Sequence, residues 1–574
     1  MKRFLKVISL VFVFFAVTLN VSAAELQDKM NSNNNVVLDK DYTEDITIEQ
    51  GKNVTLDLNG YTLSGKIEVL GELIIKSSKD GGKVVLEDRI LVGSHNKDDK
   101  TGKVEMIAGK CTLESGTIIA DNGYAFGVIG GSTVIVNGGE ITSLDSPLSS
   151  NNTFGPAHIE VNGGVLTAKQ GPAIYFPSTG SVKISDGTIN GGISLRMGNV
   201  DISGGVINAT NGSIDPLEKY HSYSGNAWLA DAIYVWGGTY TSLDEGYTND
   251  LNLNITGGTI NGVIGNAITI YDMGRVAQNI TINISGNTKV VATNKNLAYS
   301  VVTLDEAGVK NIKDGYNNKD LVGNVKTTII GGTYSSTVAK YISDEYTETK
   351  EDSLYAVSKR KVTVDIPSVD ETQKVTSVTV GVKNTDDLSN ILLDSVLNTK
   401  LDLSEVSNTV VEVNVSNKKD TELIEDALTK IKDAAEENKT TIATYFDIVL
   451  NVKDGDSDEV LGTLDELTNK IKFVIALPED ISKVADGYVR KYYVVRYHDG
   501  KAEILDASSD GKIVTFESDK FSSYALAYTD TKNTTSTEEE NPKTGDNIII
   551  SVIAGAISIT GLAFCLKKKY SKNN

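Results

Sequence analysis

A glycine-rich turn recurs through the first two thirds of the chain, and a short β-prone unit follows it each time. From one copy to the next, the first residue of that unit advances by 23, 25, 23, 18, 33, 20, 29 and 45 residues. A spacing near 20 to 25 residues with occasional insertions is typical of a parallel β-solenoid that forms one coil per repeat. The units begin at Thr117, Glu140, Val165, Thr188, Val206, Thr239, Thr259, Thr288 and Thr333.

Short alternating runs precede most of these turns, for example 133–136, 157–161 and 251–255. Alternation with a period of two places Val, Ile and Leu inside a coil and polar residues outside it. The glycines supply the positive φ or tight bend at a corner. Only the end coils would leave unpaired strand edges, so we expect both ends to need a cap. Leucine-rich repeats are disfavoured, because no recurring L-x-x-L-x-L-x-x-N frame occurs.

Four segments add a family resemblance. They are Val54-Thr55-Leu56-Asp57-Leu58-Asn59-Gly60-Tyr61-Thr62-Leu63, Gly71-Glu72-Leu73-Ile74-Ile75-Lys76-Ser77-Ser78, Gly171-Pro172-Ala173-Ile174-Tyr175-Phe176-Pro177 and Gly180-Ser181-Val182-Lys183-Ile184. The similarity is to the pectate-lyase-like right-handed β-helices of bacterial surface proteins, and it covers roughly residues 35–340. It implies a mainly β fold with a right-handed parallel β-helix domain over 25–357. It implies no particular activity, because that fold carries both enzymes and inert stalks.

The composition of the sequence changes near Ser358. Beyond it glycines become less frequent, and predicted strands alternate with helical segments. An apolar face predicts an amphipathic helix over about 421–437. The pattern predicts a smaller α+β domain over 358–530. Its ending, 492–528, resembles the membrane-proximal module that often precedes sorting signals in Firmicute surface proteins. Residues 531–540, rich in Thr and Glu, are predicted to be a disordered linker.

The first 24 residues have the features of a secretory signal peptide. Lys2, Arg3 and Lys6 form a basic region, 7–21 an apolar region, and Ser22-Ala23-Ala24 a small-residue cleavage site. The alternative is an N-terminal membrane helix, for which fifteen apolar residues are short. The chain has two cysteines, Cys111 and Cys565, and Cys565 lies in the C-terminal tail, apart from the predicted folded domains. We therefore expect no intramolecular disulfide, and we interpret Cys111 as a buried small apolar residue.

The C-terminal segment 541–574 carries a pentapeptide, an uncharged run from 548 to 566 and a basic tail. The run is long enough to span a bilayer, and the lysines behind it would stay cytoplasmic. This arrangement resembles the LPxTG-type sorting signals of Gram-positive surface proteins. The pentapeptide is Asn541-Pro542-Lys543-Thr544-Gly545. The resemblance implies that a sortase cuts after Thr544 and joins the chain covalently to peptidoglycan through Thr544. The alternative is an ordinary single-span anchor.

Charge excludes some classes of partner. The formal net charge is −21, and removal of both terminal signals would leave about −27. Recognition of phosphate relies on clustered Lys and Arg, so the composition argues against DNA, RNA and anionic membranes as partners.

Residues for catalysis are hard to find in this sequence. No Gly-His-Gly occurs, and the four histidines are scattered, so His158 is interpreted as a structural side chain. Arg196 is expected to point out of a coil strand, either as a solvated charge or in contact with a ligand. Asp186 and Asp201 lie near successive glycine turns and could bind Ca²⁺, but no spacing matches a calcium motif. We assign no catalytic residue, no metal ligand and no cofactor.

An insertion at about 208–232 suggests a contact site for a glycan. It contains Tyr223 and Trp228, and Tyr234 and Trp236 follow in the next strand. Exposed aromatic rings stack on sugar faces. The alternative is that the insertion packs back on the solenoid through these same rings.

These observations predict a secreted, cell-wall-anchored surface protein whose role is adhesion or display. Its partners would be sortase, peptidoglycan and a host or bacterial glycan or protein. Two alternatives stay open: a wall-bound polysaccharide lyase or glycoside hydrolase on a β-helix scaffold, and an inert structural stalk.

Overall fold

The computed structural model describes residues 24–97, 104–150, 155–212, 228–237, 248–272, 278–303, 323–365, 379–382, 388–403 and 406–533. Residues 1–23 of the predicted signal peptide and the whole predicted sorting signal lie outside this range. The described chain is mainly β, as expected. A largely parallel sheet of 30 strands precedes a smaller region with sheets of seven and four strands. Between residues 35 and 340 the one described helical turn is the 3-10 turn Ala339–Tyr341.

The parallel strands form three ladders, in each of which a strand pairs with its equivalent in the next repeat. The first ladder contains Asn35–Val37, Asn53–Asp57, Glu72–Lys76, Lys110–Leu113, Thr133–Val136, the first halves of His158–Ala168 and Ser181–Asn190, Gly198–Ile202, Leu251–Ile255, Gln278–Ile284 and Gly323–Ile329.

The second ladder follows the glycine turns. It contains Tyr42–Thr43, the first halves of Thr62–Val69 and Lys83–Val92, Thr117–Ala120, Glu140–Ser143, the second halves of His158–Ala168 and Ser181–Asn190, Val206–Asn208, Thr259–Gly262, Lys289–Ala292 and Thr333–Tyr334.

The third ladder completes each repeat. It contains Ile46–Ile48, the second halves of Thr62–Val69 and Lys83–Val92, Phe126–Val128, Leu148–Ser149, Ile174–Phe176, Ile193–Leu195, Ile233–Gly237, Ile268–Asp272 and Tyr299–Thr303. Outside the ladders, Ser94–Lys97 and Val104–Ile107 form a separate hairpin.

Alternating side chains from all three ladders form one apolar core. Ile184 is buried there, whereas its neighbour Lys183 is exposed on the opposite side of the strand. Glycine is required at the corner before the second ladder because the backbone has positive φ and successive corners approach closely. At Gly139 φ is +78°, and a Cβ would lie 2.5 Å from the carbonyl oxygen of Gly116. A side chain at this corner would therefore be strained and would clash.

Eight of the nine predicted units lead into a second-ladder strand, and the ninth, at Thr239, lies outside the described residues. Gly237 ends a third-ladder strand, and residues 238–240 lie outside the described range. Asn199 and its partner Asn252 lie 53 positions apart in the sequence, within one repeat. In the second ladder the register pairs Val206 directly with Thr259, so this repeat is enlarged.

Helix α1, Glu25–Ser32, covers the first end of the ladders. Leu26 and Met30 are buried in the apolar core. The Glu44 carboxylate accepts the backbone N–H groups of Leu26 and Gln27 at 2.9 Å each, which satisfies donors that a helix start leaves free. The Gln27 amide accepts the N–H of Thr47 at 2.7 Å and donates to its carbonyl at 2.9 Å. It therefore pairs the free edge of strand Ile46–Ile48.

An antiparallel hairpin, Tyr346–Glu351 with Leu354–Lys359, covers the other end by pairing with Thr333–Tyr334. The large sheet therefore ends at Lys359, two residues beyond the predicted end of the first domain at 357. Arg360 follows and is 5% exposed. Its guanidinium donates to the carbonyl oxygens of Val406 at 2.5 Å and Tyr346 at 3.4 Å, which joins the hairpin to the second region. A cleft of about 460 Å³ lies at this junction.

The second region is an α+β unit with a core between two sheets. The strand order of the seven-stranded sheet is Val362–Asp365, Thr409–Lys418, Thr441–Asp454, Ser523–Lys532, Tyr488–His498 and Lys501–Leu505, and Val460–Leu464 pairs with Thr441–Asp454. The order of the four-stranded sheet is Thr379–Val382, Glu466–Ala476, Ile513–Lys520 and Ala507–Ser509. All but one of these pairings are antiparallel.

Stacked aromatic rings fill this core. The rings of Phe446 and Tyr524 lie 5.4 Å apart, and those of Phe473 and Phe516 lie 5.3 Å apart. Helices α2, Leu388–Leu397, and α4, Glu479–Ser482, flank the sheets. Helix α3, Glu425–Glu437, packs on the other face of the seven-stranded sheet. The sequence predicted a helix from about residue 421; a separate 3-10 turn, Asp420–Glu422, occupies its expected first turn.

Candidate functional site

The face of the third ladder that points away from the core differs from the other two faces. In the first ladder, outward amides stack on one another. Asn254 donates to Asp201 at 3.0 Å, and Asn283 donates to Asn254 at 2.9 Å. In the third ladder, four consecutive strands are buried on both sides. Their outward side chains are aromatic, charged or small. Aromatic and charged groups are the ones best suited to contact a ligand, so this face is the candidate site.

We call the buried part of this face the covered patch; its members are Tyr175, Arg196, Tyr234, Trp236 and Tyr271. The register places Tyr234 beside Ser194 and Trp236 beside Tyr271. The Trp236 and Tyr271 rings lie 4.9 Å apart, and the Arg196 guanidinium lies 5.7 Å from the centre of the Tyr175 ring.

Asp231 lies at the edge of the covered patch and is 5% exposed. Its carboxylate accepts the Tyr271 hydroxyl and the backbone N–H of Asn266, both at 2.7 Å. Burial raises the pKa of Asp231, although these hydrogen bonds act in the opposite direction. Burial also raises the pKa of Tyr271, and the adjacent Asp231 carboxylate raises it further.

The structure brings three of the five predicted glycan-contact residues together, but it buries them. Arg196 points away from the core, as expected, but it is 2% exposed, so it is not a solvated charge. Tyr234 and Trp236 are 0% and 1% exposed and offer no free ring face. The physical reason is that Leu229, from the end of the insertion, packs on Tyr234, Trp236 and Tyr271.

The remaining two residues of that prediction lie at or beyond the edge of the described insertion. Trp228 is half-buried, and its indole lies where a Cβ at Gly171 would be only 3.1 Å from Nε1. Tyr223 lies outside the described residues. Among described residues, the insertion therefore follows the alternative prediction, in which it packs back on the strands.

Other predicted groups have structural surroundings. The Nδ1 atom of His158 lies 2.8 Å from the Ser181 hydroxyl oxygen, and burial lowers the pKa of His158. Cys111 is fully buried, which raises its pKa to about 12, as expected for an unreactive core residue. Asp186 and Asp201 are not register partners: Asp201 pairs with Lys183 and Asp186 with Asn162.

One group among the described residues has the spacing of metal ligands. The side chains of Glu466, His498 and Asp499 lie within 4.8 Å of one another. However, the Lys520 ammonium already lies 3.0 Å from Glu466 and neutralises it. We therefore assign no ion to this group.

A second, accessible part of the third-ladder face lies toward α1. We call it the open groove, and it has a volume of about 390 Å³. The residues that line it include Asp45, Thr47, Lys66, Glu68, Arg89 and Leu91. Thr47, Glu68 and Leu91 are register partners on successive strands. The Arg89 side chain is 43% exposed, and its guanidinium lies 6.0 Å from the centre of the Tyr124 ring. Sequence reasoning missed this groove, because only the strand pairing brings Arg89 next to the row formed by Thr47, Glu68 and Leu91.

Comparison with known proteins does not name a relative: no family model, no curated protein and no solved structure matches the chain. Among the described residues, no helix has the length and apolar character needed to cross a bilayer. The predicted span 548–566 lies outside them.

Proposed function

We propose that this chain is a secreted surface protein of a Gram-positive bacterium, joined by sortase to peptidoglycan, and that it serves adhesion or display. The proposal rests first on the order of sequence features. A signal peptide precedes the folded regions, and the Asn541–Gly545 pentapeptide, an apolar run and a basic tail follow them.

We also propose that the three ladders are the faces of one right-handed parallel β-helix. Two findings support this. The strands pair in the same order in all three ladders, and one apolar core contains side chains from each. A right-handed path is favoured because connections between parallel strands of one sheet are right-handed in about 98% of cases.

The observation that carries display is the position of the caps. Helix α1 covers one end of the ladders, and the Tyr346–Lys359 hairpin connects the other end to the α+β unit. That unit ends at Lys532, only a short stretch before the pentapeptide. An anchor at Thr544 would thus hold the α+β unit next to the wall and leave the ladder faces available to partners.

Cell fractionation tests the anchoring. Thr544→Ala or Pro542→Ala should move the protein from the wall fraction into the membrane or medium, because the sortase acyl-enzyme forms at Thr544. Thr537→Ala, in the adjacent Thr-rich linker, is the matched control and should leave wall labelling unchanged. The proposal fails if both motif variants stay wall-bound and mass spectrometry of muralytic digests finds no Thr544 joined to peptidoglycan.

A further inference from the structure

The open groove combines positions that the register holds in place. Thr47, Glu68 and Leu91 form its central row on three neighbouring strands. Asp45 is fixed because its carboxylate accepts the backbone N–H of Lys66 at 2.7 Å. Sites built on strands are held more precisely than sites on loops, so these side chains form a surface with a defined shape.

Arg89 connects the groove to an aromatic ring. Its aliphatic stem lies over Gly127, where a Cβ would be 3.0 Å from Cδ of Arg89. Its Nε donates to Asp88 at 3.2 Å, and the guanidinium lies near the half-buried Tyr124 ring. A ligand in the groove would therefore meet the Arg89 donor, and the Tyr124 ring lies next to that donor, just outside the groove walls.

The charges in the groove select a class of ligand. Three carboxylates, Asp45, Glu68 and Asp88, outnumber the two cations Lys66 and Arg89. An anionic ligand would meet a net negative surface, which opposes its binding. Carboxylates and a guanidinium each form paired hydrogen bonds, the first as acceptors and the second as a donor, and a Thr hydroxyl can do both. Neighbouring hydroxyl groups of a sugar supply matching donors and acceptors, and a sugar unit that extends past Arg89 would reach the Tyr124 ring.

We propose that the open groove binds a neutral oligosaccharide. This inference deepens the adhesion or display role and rests on it, but it places the contact on residues other than Tyr223, Trp228, Tyr234, Trp236 and Arg196. The covered patch offers no free ring face, since Leu229 packs on three of its aromatic residues. The open groove, by contrast, keeps Arg89 and Asp88 exposed.

The test is an array of neutral and acidic oligosaccharides probed with the purified full-length chain, followed by titration calorimetry on the hits. We expect at least one neutral series to bind. Arg89→Ala and Glu68→Gln should each weaken its Kd about tenfold or more, the scale of a central contact. Tyr124→Ala should do the same, with a melting scan to check its fold. Lys183→Ala, an exposed cation on the first-ladder face, should stay within about twofold.

Each outcome decides the matter. The inference is supported if a neutral oligosaccharide series binds to the unaltered chain and to Lys183→Ala, and if the groove variants lose this binding. Absence of any neutral hit, equal binding by all variants, or binding of acidic glycans alone overturns it. Because the binding assay uses purified protein and the anchoring assay uses Thr544, a failure of wall attachment is seen separately from a failure of the groove.

Discussion

The two regions of this protein pair their β-strands differently. In the parallel region, partners lie one repeat apart, as His158 and Ser181 do with a separation of 23 residues. In the α+β unit, the last strand, Ser523–Lys532, lies at the centre of the sheet between Thr441–Asp454 and Tyr488–His498. The ion pair of Arg490 with Asp530 spans 40 residues.

This difference affects how each region is stabilised. When each repeat contacts only its neighbours, stability is approximately a sum of local terms, and damage stays local. When a central strand comes from the end of the chain, the core cannot form until that strand is present, so the unit is expected to fold as a whole. The ladders therefore need caps at two ends, whereas the α+β unit needs its last strand.

The largest expected effect comes from removal of that strand. Truncation after Ser522 removes Tyr524 and Leu526, both fully buried, and exposes two strand edges. We expect the α+β unit to lose its fold while the ladders stay folded. Limited proteolysis with hydrogen exchange and mass spectrometry should show protection lost over 388–522 and kept over 35–303. Truncation after Asn533 is the control. Loss of protection in both regions would contradict the comparison.

A charge in the ladder core should have the next largest effect. Ile184→Asp places a carboxylate among aliphatic side chains and should cost about 3 kcal/mol or more. The increase in exchange should concentrate in the repeats next to Ile184, because contacts there are between neighbours. Thr188→Asp, on the outward side of the same strand, should cost less than about 1 kcal/mol. Uniform unfolding from Asn35 to Tyr334 would show that the ladders are more cooperative than proposed.

Loss of one capping side chain should have an intermediate effect. Gln27→Ala removes both hydrogen bonds to the backbone of Thr47 and should cost about 1–3 kcal/mol. Exchange should rise first at Ile46–Ile48. Gln50→Ala, at an exposed turn position, is the matched control. Equal exchange at Ile46–Ile48 in both variants would show that the amide does not protect this edge.

The smallest effect concerns pH and Asp231. Because burial raises its folded-state pKa above the unfolded value, its protonated form is favoured in the folded state, so stability is greatest below the unfolded pKa. Stability should then fall as pH rises through the folded pKa and level off above it. Asp231→Asn should remove this pH-dependent loss, because the amide does not titrate. Melting temperatures of both proteins from pH 3 to pH 8 would test it; parallel curves would contradict the assignment.

Local patterns predicted much of this fold. The glycine spacing located eight of the eleven second-ladder strands, and alternation identified residues such as Ile184 and Cys111 as buried. Helix α3 was predicted within a few residues of its start. Helix α1 was missed, although Leu26 and Met30 have the i, i+4 spacing of an apolar helix face. An eight-residue helix is marginal by itself and depends on the strand edge that it covers.

The sequence by itself determined which side chains point toward the core, because side chains alternate with a period of two along a strand. It also determined most of the turns, because glycines recur at the spacing of the repeat. It did not determine what covers the outward faces. Tyr234, Trp236 and Arg196 point away from the core and yet are buried. For Tyr234 and Trp236 the packing of Leu229 on the third ladder decided that, because burial of an outward side chain depends on a segment that no periodicity along its own strand describes.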